Sequence, residues 1–379
     1  MTKKNTNNVD IVIIGAGVAG CIAAIALSND YHVVLIDKLE VPAERVGECL
    51  APAAQRILKQ LDLLNDLETF MANSQQAVYL KNIGTQSYWG SEHVQIVDHL
   101  RNPDGFGWHL NRQLFESFLR QTALKRGVEC LCPYTLEHCH YEHFRWHITV
   151  VSESDRLASR KIEASFVIDA TGRQAHFTKK LGIQRVHLDH LVACWATVPN
   201  REVNQMSTIL ANQLGWWYSA PLPNNQRVIS FQTDSDLINR GVLKKMEQFV
   251  ELSQHNHPIA TLLPKDITEI QFHGIVAANS SCLSQVAGQQ WVALGDAALS
   301  FDPLSSQGMF NAMATSLQMT DLLLQSNLIH QPNTTTIEQF ATHYTNQINQ
   351  IWKHYLYHKR IFYQAEQRWK HAPFWQRRH

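Results

Sequence analysis

The stretch Val9–Asp37, VDIVIIGAGVAGCIAAIALSNDYHVVLID, decides the fold. Its apolar run Val9–Ile14 reads as a buried parallel strand that empties straight into Gly15, Gly17 and Gly20. The Ala- and Ile-rich residues that follow have helical length and an apolar face. His32–Ile36 reads as a second buried strand, closed by Asp37. At this spacing each glycine has a physical task. Gly15 makes the tight turn, Gly17 lets backbone meet a pyrophosphate, and Gly20 lets the helix pack close on the strand. Phosphates then lie at a helix N-terminus, where free N–H groups and the helix dipole favour negative charge. Asp37 stands 17 residues past Gly20, where a carboxylate accepts hydrogen bonds from an adenosine ribose. Ala16 and Lys38 complete this expected dinucleotide site.

Composition narrows the remaining possibilities. A chain of 379 residues with 45% hydrophobic content can bury a large core, in one big domain or two intertwined ones. Lys+Arg and Asp+Glu balance at 33 each, so net charge argues for neither nucleic acid nor a membrane surface. Seven cysteines without framework spacing suit a reducing cytoplasm better than secretion. Met1–Asn8 lacks the apolar core of a signal peptide, and no apolar run reaches the roughly 18 residues of a membrane span. The expectation is a cytoplasmic protein with no nucleic-acid or membrane partner.

Farther along, Ala51–Leu64 reads as an amphipathic helix, and Gln76–Trp89 as strands around a turn at Asn82-Ile83-Gly84. Leu110–Lys125 has helical spacing and stops at Gly127. Val128–Leu131, much of Tyr134–Val151, and Lys161–Asp169 read as strands. The pattern between Val186 and Phe231 is mostly β, Ser235–Leu252 reads as a helix, and Ile267–Val276 as a strand. Gln290–Gly295 is a third buried parallel strand, followed by a loop and a helix. From Thr336 the spacing is helical, rich in aromatic and basic residues. The fold class is therefore α/β: a Rossmann-like dinucleotide-binding domain, an inserted mixed β-sheet substrate domain, and a C-terminal helical segment. The expected division is 1–75, 108–185 and 275–330 for the first, 76–107 and 186–274 for the second, and 331–379 for the third.

Three segments point from a dinucleotide towards FAD. GDAALSFDPLSSQGMFNAM (Gly295–Met313) follows a buried strand and opens a helix. Asp296 at the strand's end can hold ribityl hydroxyls, and the Pro/Ser/Gly loop lets N–H groups approach a flavin ring edge-on. VIDATGR (Val167–Arg173) puts a Thr-Gly turn at another strand end. Arg112 begins a helix, where it can meet a phosphate or brace the flavin.

GAGVAG, Asp37, the helix at Arg112, DATGR and GDAALSFDPLSSQG recur in that order in the flavin-dependent monooxygenases and halogenases of the para-hydroxybenzoate hydroxylase fold, which this chain resembles. The resemblance implies that Gly295 and Asp296 serve the ribityl chain. It implies that the loop with Pro303, Ser306, Gly308 and Met309 lines the isoalloxazine, and that Arg45, Glu48, Cys49 and Arg112 lie near the cofactor. Further, VGECLAP, IGTQSYWG, GWWYSAPLP and the terminal RWKHAPFWQRRH are similar to the GoxB/LodB-like flavoproteins, which mature bacterial amino-acid oxidases. That resemblance implies an oxygenase acting on a precursor tryptophan in a partner oxidase, during biogenesis of its cysteine tryptophylquinone. Dioxygen is the implied oxidant, with NAD(P)H or a separate flavin reductase as electron donor.

Other residues carry competing readings. Trp216-Trp217-Tyr218-Ser219-Ala220-Pro221 sits where the halogenases it resembles carry Trp-x-Trp-x-Ile-Pro, with Tyr218 and Ala220 as departures. Trp216 is either an aromatic wall beside the flavin or core packing. Lys81 invites comparison with the lysine that captures hypohalous acid in halogenases, or is a solvated strand residue. His109 and His176 flank the cofactor segments and are candidates for proton transfer near neutral pH. Cys130, Cys132, His138, Cys139, His140 and His143 lack zinc spacing, and strand alternation sends neighbours to opposite faces, so no metal site is expected. The aromatic, basic tail from Ile351 either packs on the flavin domain or docks a partner. Two alternatives to the oxygenase remain: hydroxylation or halogenation of a small free aromatic such as an indole, and a non-catalytic flavoprotein partner.

Overall fold

Thr6–Ile14 pairs in parallel with Val33–Ile36 on one side and Ser159–Asp169 on the other, in a computed structural model that describes residues 6–155, 157–237 and 245–379. Glu129–Leu131 and Trp291–Ala293 extend the sheet outward, both parallel. Val33–Ile36 and Trp291–Ala293 are buried throughout, as strands covered by helices on both faces must be. The hairpin Tyr134–Glu142/Arg145–Ser152 adds an antiparallel annex along the first half of Ser159–Asp169. Among the described residues this sheet has eight strands. The helix Val18–Leu27 packs against Gly308–Ser326 and Arg112–Lys125.

Two glycines make the crossing possible. Gly15 adopts φ +107°, and a Cβ there would stand 2.3 Å from the Ala170 carbonyl oxygen. A Cβ on Gly20 would lie 1.9 Å from the Gly15 oxygen, so helix and turn touch backbone to backbone. No side chain fits at either position.

A second sheet of seven described strands runs in the order Gln271–Ala277, Leu191–Pro199, Gln226–Asp234, Gly215–Pro221, Ser207–Asn212, Gly84–Tyr88, Gln95–Asp98. Alternation along Gly215–Pro221 sends Trp217 to a core with Phe231 and Phe249, and Trp216 to a core with Tyr363, Phe374 and Trp375. A small sheet of Cys49–Leu50, Gly107–Leu110 and Tyr79–Asn82 completes the β structure near the site. The helix Thr334–Gln364 and the short turn Pro373–Gln376 close the chain. No helix among the described residues is long and apolar enough to cross a membrane.

Several local expectations change. Ala51–Leu64 is two helices, Ala54–Gln60 and Leu63–Ser74, broken where Asp62 turns left-handed at φ 54°. The break lets Leu58, Leu63 and Leu67 all be buried. Tyr79–Asn82 and Gly84–Tyr88 do not pair with each other; the first joins Gly107–Leu110, the second Ser207–Asn212 and Gln95–Asp98. Gly84, at φ +157°, is where the chain changes sheet. Leu110 ends the buried strand Gly107–Leu110, and the helix starts at Arg112 behind Asn111, whose side chain accepts from the Leu114 N–H. Of the helix read over Ser235–Leu252, the structure gives Met246–Gln254, and residues 238–244 lie outside those described. Ile267–Glu269 is a 3-10 turn before the strand Gln271–Ala277. The tail's long helix ends at Gln364.

Candidate functional site

Strand ends and helix starts converge on one edge of the parallel sheet. Gly17 caps Val18–Leu27 in an extended conformation, and no side chain caps that helix, so its first N–H groups remain available to an anion. A Cβ on Gly17 would meet nothing within 4 Å, so the turn faces open space. Asp37 is joined to that turn: its Oδ2 accepts from the Ala16 N–H at 2.7 Å, and its Oδ1 from Leu39 N–H at 2.8 Å. A carboxylate has about four acceptor positions, so capacity remains for a ribose hydroxyl. Lys38 is exposed beside it.

Sequence reasoning missed Arg120. Its Nε donates to the Ala16 carbonyl at 2.9 Å, Nη1 to Leu39 O at 2.7 Å, and Nη2 lies 3.2 Å from Asp37 Oδ2. One buried guanidinium therefore pins the glycine turn, the end of the second strand and the Asp37 carboxylate together. The available signal is a charged residue on the apolar face of Arg112–Lys125.

The second half of the edge comes from the strand Trp291–Ala293 and the loop after it. Gly295, at φ +54°, packs against Ala19 and Ala312. The Asp296 side chain is 42% exposed, 3.8 Å from Arg173 Nε. Arg173 also donates to the Asn279 and Phe301 carbonyls, and Arg185 donates to those of Asp296 and Ala297. Pro303–Ser305 forms a 3-10 turn, Ser306 adopts φ 49°, and the helix begins at Gly308, where an added Cβ would meet nothing. Pro303 and Ser306 are exposed, and Met309 packs on the core.

Between the two halves lies a set of buried polar atoms without partners. Arg112 donates from Nη1 to Gly47 O and from Nη2 to Glu116 Oε1, both at 2.6 Å, and its Nε is buried and unpaired. Glu116, fully buried, also lies 3.7 Å from Arg45. Glu48 accepts from the Gly47 N–H at Oε2, while its Oε1 is buried with no partner. The Tyr218 hydroxyl is likewise buried, next to the Glu48 carboxylate. Burial first, then the Glu48 charge, push its pKa well above the usual phenol value. Val46, Trp195, Tyr218 and Leu222 pack as an apolar wall around it. Buried polar atoms are normally satisfied, so this concentration marks a place built for a ligand.

Cys49 and His109 face each other across a strand pair. Burial raises the Cys49 thiol to about 12, so it stays protonated and packs rather than reacts. Burial lowers His109 to about 4, its Nε2 is 3.1 Å from Gln205 O, and its Nδ1 is buried without a partner. Burial thus favours the uncharged imidazole at neutral pH. His176 opens the helix His176–Lys180, and its Nε2 lies 3.2 Å from Leu136 O. Lys81 is exposed on its strand, with Nζ 5.7 Å from the Phe106 ring.

Trp216 belongs to the tail-covered core, and a chain of hydrogen bonds connects it to the 303–309 loop. Its Nε1 donates to Tyr363 OH at 3.1 Å, and Tyr363 OH donates to Asp302 Oδ2 at 2.8 Å. The Asp302 N–H donates to Tyr355 OH, and Lys359 Nζ sits 3.7 Å from Oδ2. Lys359 also bonds Asp189 at 2.5 Å and Ser280 at 2.6 Å. Burial raises the Asp302 pKa, with Lys359 acting against it. Leu304 packs in the same core as Trp216, Tyr218 and Trp375.

A family model described as tryptophan halogenase matches residues 10–93 and 92–379. LodB of Marinomonas mediterranea, a putative FAD-dependent oxidoreductase, is 26% identical over 374 residues, covering 98% of this chain and 96% of its own. The flavin-dependent halogenase CmlS has a similar structure, with TM-score 0.81 and 20% identity over 98% of this chain and 68% of CmlS. QhpG, a peptidyl tryptophan dihydroxylase essential for tryptophylquinone cofactor biogenesis, has TM-score 0.78 and 20% identity over 98% of this chain and 78% of its own.

Proposed function

Because the chain belongs to the tryptophan halogenase family and is an FAD-dependent enzyme, we propose that it oxygenates a tryptophan side chain of a partner amino-acid oxidase precursor, during cysteine tryptophylquinone biogenesis. The observation that carries this reading is the pair Glu48 and Tyr218, a carboxylate and a phenol buried side by side in an apolar wall. Likeness to LodB and QhpG over 98% of the chain supports the peptidyl substrate.

The residues fit the cofactor. The uncapped helix at Gly17 suits the pyrophosphate, Asp37 and Lys38 the adenosine end, and Arg45 and Arg112 the phosphates or ring. Gly295 and the half-exposed Asp296 suit the ribityl hydroxyls, and the 303–309 loop, with its free helix start at Gly308, suits the isoalloxazine. Reduced FAD supplies the two electrons that activate dioxygen for attack on an electron-rich ring. Net, one aromatic C–H becomes C–OH, and O2 with two electrons and two protons yields that oxygen and one water. Electrons come from NAD(P)H or a separate flavin reductase.

The protein's part is positioning and proton handling. The wall of Val46, Trp195 and Leu222 excludes water from the indole. Tyr218 stays protonated at neutral pH and donates a hydrogen bond to oxygen as charge develops on it. Glu48 accepts the proton that the ring carbon loses. Tyr218→Phe and Glu48→Gln should retain FAD, seen by its visible absorbance, yet lower product per turnover by roughly 10²-fold or more. Full activity in both variants would refute these roles. Halogenation or hydroxylation of a small free aromatic is the second reading, favoured by the likeness to CmlS. A halogenated product from free indole in the presence of halide and a reductase would establish it.

A further inference from the structure

The annex hairpin carries side chains that oxygenation does not use. Register places His140 directly opposite His147, and His147 directly opposite Glu163 on the central strand. Alternation puts Glu142 on the same face as His140, while Cys139 and Tyr141 turn inward against the core. The Cys/His neighbours in sequence are thus split, as their spacing implies, but the facing strand supplies a second imidazole that sequence proximity hides. The His140 and His147 rings lie 4.7 Å apart and 11° from parallel. One ligand atom from each of His140, Glu142 and His147 lies within 4.8 Å of the others.

We propose that this face binds a divalent d-block cation of the zinc class through His140, His147 and Glu142. Imidazole and carboxylate donors suit such ions. Zinc–ligand bonds of about 2.0–2.1 Å need the donors somewhat closer than they stand, and side chains this exposed can rotate inward. Glu163 acts as the orienting carboxylate: its Oε1 is 3.7 Å from His147 Nδ1, leaving the other ring nitrogen for the ion. His143 lies 3.4 Å from one Glu142 oxygen and leaves the second to coordinate. The site stands apart from the flavin edge. Glu163 is six residues before Asp169 on one strand, roughly 20 Å at strand rise. Its consequence is structural: the ion staples the hairpin's two strands, and through Glu163 ties them to the parallel sheet.

Isothermal calorimetry of ZnCl2 into the tag-free, FAD-loaded full chain tests this. One zinc per chain is expected. His140→Ala and His147→Ala should each weaken binding by more than about tenfold, and Glu163→Gln by roughly tenfold. His140→Gln and His147→Gln, which keep the surface polar, should reproduce that loss. The control is a second histidine pair, the exposed His354 and His358, 4.3 Å apart on the long C-terminal helix. Their double alanine variant should leave the titration unchanged. No zinc uptake, uptake that survives loss of His140 and His147, or uptake that follows His354 and His358 overturns the proposal.

Discussion

Asp302 is 1% exposed and receives its stabilising contacts from the long C-terminal helix: Tyr363 donates to its carboxylate, Lys359 stands beside it, and Tyr355 accepts from its N–H. Tyr363→Phe removes the donor to a buried carboxylate and the acceptor for Trp216. It should cost about 1–3 kcal/mol in urea unfolding. His109 gives a pH prediction. Its folded pKa of about 4 lies below the ordinary 6.5, so the unfolded chain binds more protons between these values. Its contribution is complete above about pH 6.5 and is lost as pH falls towards 4. A shift of that size corresponds to roughly 3 kcal/mol. His109→Gln should flatten the stability profile across that window, measured by urea unfolding at successive pH values. At this scale the turn glycines were legible, because they sit in a local motif. Arg120, Glu116, Asp302 and Tyr363 were not, because Arg120 and Asp302 find partners 53 to 104 residues away, and Glu116 meets Arg45 from a distant part of the chain.

The helix Val18–Leu27 and its glycine turn separate binding from folding. Gly17 has open space for a Cβ and an ordinary negative φ, so Gly17→Val should leave the fold intact and block phosphate approach. The purified variant should show native circular dichroism and no flavin absorbance. Gly20→Ala should behave differently, since its Cβ would overlap the Gly15 oxygen at 1.9 Å, and soluble protein itself should be lost. Hydrophobic period located the parallel strands, the Arg112 helix and the loop–helix after Trp291–Ala293 well. It could not find the break at Asp62 or the strand Gly107–Leu110. Nor could it separate Tyr79–Asn82 from Gly84–Tyr88, because alternation reveals a strand but not which distant strand it pairs with.

Across the whole molecule, the C-terminal segment covers the seven-stranded sheet. Phe374 and Trp375 are buried against Trp216, and Arg378 pairs with the buried Asp234 at 2.6 Å. The sequence offered packing and docking for this tail. Packing holds for Tyr363 and Trp375, while Tyr357 at 64% and Phe362 at 53% face outward. Deleting 365–379 should expose that core, which includes Leu304 of the loop after Asp302, giving protein that loses FAD on gel filtration while a full-length control retains it. The central claim is oxygen transfer to a tryptophan held in another protein. Co-expression with an amino-acid oxidase precursor, followed by mass spectrometry of its tryptophan-bearing peptide, measures it directly. The account predicts added oxygen mass on that tryptophan with the intact chain and none with Gly17→Val. An unmodified peptide beside the intact, FAD-loaded chain, with turnover of free indoles instead, would contradict it.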